Sequence, residues 1–135
     1  MLATMVLGAD GVQIGSRFVA STESSAHEAF KNSVVKAKDG DTHLTLKELA
    51  PVRLIKNKFF NDVQDLYKTN PTPEALRTLL GRARAKRGMF EGDLDEGELE
   101  IGQIAGLIHE VKPVAEIVEA LIAEFEEAKR LINNI

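Results

Sequence analysis

Leu2, Met5 and Val6 stand at helical spacing, and Gly8 follows where helix ends favour glycine. They read as the last turns of a helix. In residues 11–15 Val12 and Ile14 alternate with Gln13, which predicts a short buried strand stopped by Gly15. Ala26, Phe30, Val34 and Ala37 form one apolar stripe and predict a helix from Glu23 to Lys38, closed by the turn KDGD. Thr45 and Glu48 have capping-box spacing before Pro51, and a helix is predicted through Val52–Tyr67. After the turn NPTP, Thr72 caps a helix with Pro73 at its first position and Leu76, Leu79, Leu80 and Ala83 on its buried face. The glycine-rich GMFEGDLDEGELEIG predicts an ordered loop, and a short helix follows around Gln103–Ile108. The clearest helix starts at Pro113 and carries Val114, Ile117, Val118, Leu121, Ile122, Phe125 and Leu131 on one face.

The sum is one strand and about five helices. A lone strand leaves its ladder groups unpaired, so this one needs partners from elsewhere. At 135 residues the chain has the length of one domain, and its apolar content of 44% is ordinary. A net charge of −4 does not favour nucleic acid or an anionic membrane. With no cysteine, disulfides, thiolate metal sites and cysteine nucleophiles are excluded. No apolar run approaches a membrane span, and the first ten residues lack the basic start of a secretion signal. A cytoplasmic protein is the expectation.

Candidate chemistry concentrates in VQIGSRF. A phosphate needs several converging donors. Backbone N–H groups at a glycine bend, a serine hydroxyl and a following helix start supply them. Here Gly15 permits close approach, Ser16 adds a hydroxyl and Gln13 an amide. A tight strand-to-helix turn without a ligand explains the same residues, and short glycine motifs are weak signals.

The stretch LGADGVQIGSRFVASTES resembles the last barrel strand of the nitronate monooxygenase family, which is similar to the flavin-dependent enoyl-acyl-carrier-protein reductase II. The likeness continues through VRLIKNKF and GDLDEGELEIGQIAGLI to the terminal helix. It implies an α/β fold: the C-terminal fragment of an eight-stranded β/α TIM barrel, its last strand plus helices, mostly helical within this chain. Residues 1–20 would hold the end of helix seven, strand eight and the phosphate-binding turn, and residues 21–135 a helical C-terminal extension. Phosphate sites in such barrels often follow strands seven and eight. The resemblance places Gln13, Ile14, Gly15 and Ser16 on the phosphate of FMN, mostly through backbone amides. It also implies that strands one to seven and the catalytic histidine lie outside this chain, so no catalytic residue is expected here.

Two chemistries share the resemblance. One oxidises alkyl nitronates with O2. The other passes hydride from NAD(P)H through FMN to an enoyl thioester, the branch toward which the 92–108 segment leans. The expected partners are the small-molecule or acyl-thioester substrate and the remainder of the barrel, in cis or from a companion chain. A homodimer stays open. The alternative is a non-catalytic helical module, or barrel remnant, docking through its terminal helix. In GQIAGLI, Gly102 and Gly106 would let backbones pack closely, and Gln103 could reach a polar partner or border the substrate pocket. His27, His43 and His109 read as solvated, the acidic run 92–100 as a solvated loop rather than a metal site, and GRARAKRG as a solvent-facing helix side. A contact of that basic side with an acidic carrier protein or a cofactor phosphate remains the other option for it.

Overall fold

The computed structural model describes residues 1–132. Helix α1 (Leu2–Val6) ends as predicted, with Gly8 at φ +99° donating to the Met5 carbonyl at 2.9 Å. No residue of α1 is buried. The expected strand over 11–15 does not form: the segment lies outside any sheet, and Val12 is 39% exposed rather than buried. The reason is the missing ladder. A strand exists by its partners, and none of the described residues pairs with this segment. A single helical turn, α2 (Ser16–Val19), follows with Gly15 as its N-cap.

Helix α3 (Glu28–Lys36) is shorter than the stripe suggested, because the His27 Nδ1 accepts from the Ala29 N–H at 3.1 Å and starts the helix there. Its apolar stripe is buried as expected at Phe30 and Val34, and Ala37 just beyond the helix is buried with them.

The largest departure lies between 42 and 55. Strands β1 (Thr42–Thr45) and β2 (Val52–Ile55) form an antiparallel hairpin with Thr42 opposite Ile55 and Thr45 opposite Val52. Four β-branched residues sit at the strand ends, and Pro51 directly precedes β2. The far edge of β2 pairs with 99–101: Ile55 N–H donates to Leu99 at 2.9 Å, and Ile101 N–H donates to Arg53 at 3.1 Å. That long-range pairing is invisible to local periodicity. The predicted helix therefore begins only at α4 (Lys58–Tyr67), capped by Asn57 Oδ1 on Phe60 N–H at 2.9 Å. Asn57 Nδ2 also donates to the Leu94 and Gly97 carbonyls, both at 2.8 Å, and so ties α4 to the glycine-rich loop.

Helix α5 (Pro73–Leu80) has the predicted Thr72 cap and Pro73 start. The basic segment after it is solvent-facing as expected at Arg82, Lys86 and Arg87, but not at Arg84. It turns at Gly81 and continues into a π-helical turn, Lys86–Phe90. Arg84 is mostly buried over the Phe59 ring at 4.4 Å, and it donates to the carbonyls of Leu79, Leu80 and Glu96. The acidic run is likewise structural: Glu98 and Leu99 are buried, and burial together with nearby Glu100 pushes the Glu98 carboxyl up to about 7, against a smaller opposing pull from Arg84. A 3₁₀ helix (Gln103–Leu107) and the long α6 (Val114–Ile132) follow as predicted. Glu23 caps α6 from afar, its carboxylate accepting from Val114 N–H at 3.0 and 3.1 Å.

Two apolar cores result. One gathers Ala20, Phe30, Val34, Leu99, Ile101 and Ala105. The other gathers Leu46, Leu54, Phe59, Phe60, Val63 and Leu76. At roughly 1.5–3 kcal/mol for each large side chain removed from water, these cores hold the hairpin and α3–α5 together. The face of α6 is covered less: Ile117 is buried, but Val118, Ile122 and Leu131 are exposed.

Candidate functional site

The turn at Gln13–Ser16 is held by its flanks. Arg17 Nη1 donates to the carbonyls of Ala20 and Glu110, both at 3.2 Å, which clamps α2 to the segment before α6. Ser21 and Lys112 add a parallel bridge. On the other side, Ser16 Oγ accepts from the Gly102 N–H at 3.0 Å across 86 positions of sequence.

Gln13 and Gly15 are exposed, and Ile14 and Ser16 are half-buried. Among the described residues, the backbone N–H groups of Gln13 through Arg17 meet no acceptor, and the Ser16 hydroxyl donates to none. A Cβ placed on Gly15 would meet nothing within 4 Å. The space in front of that glycine is an open hollow of about 390 Å³, bordered by Gly15, Ser16, Arg53, Glu100 and Gly102. Arg53 turns its Nη1 to Thr42, donating to its carbonyl at 3.1 Å and its hydroxyl at 3.2 Å. Of the four predicted residues, Gly15 and Ser16 border this hollow, Ile14 lines a separate groove beside Arg17, and Gln13 lines neither. Backbone N–H groups and a hydroxyl are the donors a phosphate monoester takes, while the Glu100 carboxylate on the rim opposes an anion.

Gly106 does permit close packing: a Cβ there would lie 3.2 Å from the Asp39 nitrogen. Gln103 is exposed and makes no side-chain hydrogen bond among the described residues. The three histidines are exposed, as expected: His27 is a helix cap with its ring packed on Gly92, His43 meets the Phe60 ring edge-on at 5.6 Å, and His109 lines a second groove. That groove, about 440 Å³, runs between Ile14 and Arg17 on one side and Leu107, Lys112 and Leu121 on the other. Sequence reading missed the bond between Gly102 and Ser16. The only signal for it was a glycine that no turn geometry demanded.

The nitronate monooxygenase family model matches residues 1–124. The chain belongs to the nitronate monooxygenase family. A probable nitronate monooxygenase of Bacillus subtilis is 32% identical over 124 residues, covering 90% of this chain and 35% of the relative. One from Staphylococcus saprophyticus is 29% identical over 128 residues, 94% of this chain and 36% of the relative. The structure of FabK from Thermotoga maritima superposes with a TM-score of 0.85 at 39% identity, covering 100% of this chain and 43% of FabK. The chain therefore spans little more than a third of the curated relatives it matches. No described helix is long and apolar enough to cross a membrane.

Proposed function

We propose that this member of the nitronate monooxygenase family forms the flavin-phosphate side of an FMN-dependent oxidoreductase. The observation that carries the reading is the run of unspent donors from Gln13 to Arg17, with the Ser16 hydroxyl beside them, in front of an open glycine. Gln13, Ile14, Gly15 and Ser16 would hold the FMN phosphate, mostly through backbone N–H groups. FMN supplies the redox chemistry when bound, taking electrons from a nitronate in the O2-dependent branch or passing hydride from NAD(P)H to an enoyl thioester in the reductase branch. This chain's own residues bind and orient. The Arg17 clamp fixes the turn, and Gly15 leaves the approach clear.

The same reading makes the chain the C-terminal fragment of a β/α barrel, with 11–15 as the strand that pairs once the remainder is supplied, in cis or by a companion chain. A cytoplasmic location goes with it. The purified 135-residue chain is expected to turn over neither nitronates nor enoyl thioesters above a free-flavin blank. Turnover well above that blank contradicts the fragment reading. The phosphate assignment is tested in a chimera in which this chain replaces the matching segment of Thermotoga maritima FabK. There Ser16→Ala should weaken FMN by about tenfold to a hundredfold, the worth of one hydrogen bond to a charged group. Riboflavin, which lacks the phosphate, should bind the parent and variant alike.

The second reading, a docking module without catalysis, is favoured by one observation. Val6, Leu7, Leu107 and Ile122 are all more than half exposed. It predicts stable association of the chain with a partner and no flavin discrimination.

A further inference from the structure

We infer that Gly102 is a positioning residue for the Ser16 hydroxyl, a role that rests on the flavin-phosphate reading for its ligand but not for its geometry. Gly102 has φ −69° and ψ 160°, an ordinary conformation for any residue, so its backbone does not call for glycine. What calls for it is Ser16. A Cβ on Gly102 would lie 2.6 Å from Ser16 Oγ, well inside van der Waals contact, while the Ser16 Cβ would stand at a comfortable 3.8 Å. The absence of that one carbon lets the Gly102 N–H reach Oγ at 3.0 Å.

The consequence is chemical. A serine hydroxyl has one proton and two lone pairs. With a lone pair taken by the Gly102 N–H, Oγ accepts from inside the protein, and its proton is left to donate outward. No acceptor for it exists among the described residues, and the hollow beside Gly15 is bordered by both Ser16 and Gly102. The amide fixes the rotamer and makes the hydroxyl a donor, the role an oxyanion requires. The bond also joins the turn at 13–16 to the 3₁₀ segment that begins at Gln103, so displacement of either is felt by the other.

A double-mutant cycle on Gly102→Ala and Ser16→Ala tests this. Gly102→Ala keeps every group assigned to the phosphate and removes only the room for the Ser16 rotamer. In the FabK chimera it should cost FMN affinity about as much as Ser16→Ala, tenfold or more, with riboflavin unaffected. The double variant should be no worse than Ser16→Ala alone. FMN binding by Gly102→Ala within twofold of the parent, or losses that multiply in the double variant, overturn the positioning role. In the 135-residue chain, hydrogen exchange of the Gly102 amide should speed at least tenfold in Ser16→Ala; unchanged exchange overturns the lock whatever flavin does. If instead Ser16→Ala leaves the FMN-to-riboflavin ratio unchanged while the Gly102 amide is deprotected, the phosphate reading fails and the lock survives.

Discussion

The two cores and the two ends of this chain treat apolar side chains in opposite ways. In the cores Phe30, Leu54, Phe59 and Leu76 are at most 1% exposed. At the ends Val6 is 70% exposed, Leu7 88% and Ile122 54%. The cores draw on residues distant in sequence, so the middle of the chain closes over its own apolar surface. Helix α1 has five residues and no buried one, and α6 has nineteen residues with Ile117 as its buried anchor. The two end helices touch each other, and α6 is capped by the distant Glu23, but much of their apolar surface faces outward. Contiguous exposed apolar surface marks a place where something else packs. The candidate cradle lies between the two kinds of region: its flanks are clamped by Arg17 and Gly102, and its donors are unspent.

The contrast can be broken by substitution. Phe59→Ala empties the second core and removes the ring beneath Arg84, and it should cost about 3–5 kcal/mol in a urea titration. A loss under 1 kcal/mol would mean that the core is not what holds the hairpin to α4. Asn57→Ala removes a helix cap and two bonds to the glycine-rich loop, and about 2 kcal/mol is expected by the same titration.

A pH effect should follow from Glu98. Its folded-state value of about 7 lies above the ordinary 4.5, so between those values the folded chain keeps a proton that the unfolded chain has released. Stability from this group is complete below 4.5 and is lost as pH rises toward 7. Urea titrations at pH 5 and 8 should show the chain less stable at 8, and Glu98→Gln should flatten that difference. A parent whose stability rises over this range through other groups, with no change in slope on Glu98→Gln, contradicts the assignment. The smallest effect is expected at the ends. Ile122→Ser should change the stability of the chain by no more than about 0.5 kcal/mol while lowering its tendency to self-associate in sedimentation.

The difference between the regions also sets what the sequence made legible. Helices whose signals are local were readable: Thr72 and Pro73 open α5, Gly8 closes α1, and the α6 periodicity is plain. The hairpin was not. Thr45, Glu48 and the run after Pro51 have helix-like local features, while Val52–Ile55 is a strand because it pairs with Thr42–Thr45 on one edge and with Leu99–Ile101, more than forty residues away, on the other. Arg84 misled for the same reason, since a basic cluster reads as surface until Phe59 and three carbonyls surround one of its members. At the candidate site the turn residues were legible as a motif, because glycine and serine advertise a bend with donors. Their partner Gly102 was singled out only as a close-packing glycine, because a backbone N–H leaves no trace in the residue type.

Gly15→Val in the FabK chimera is the most direct test of the flavin-phosphate assignment. The protein itself leaves room for the new side chain: a Cβ at Gly15 meets nothing within 4 Å, and φ there is −99°, which valine adopts. Folding should be unharmed, and riboflavin should bind as it does to the parent. FMN should weaken by at least a hundredfold, because a branched side chain stands where a phosphate must reach several backbone donors at once. Flavin fluorescence titration reads both ligands in one experiment. FMN bound as tightly by Gly15→Val as by the parent would contradict the cradle and leave residues 8–15 a linker between α1 and α2.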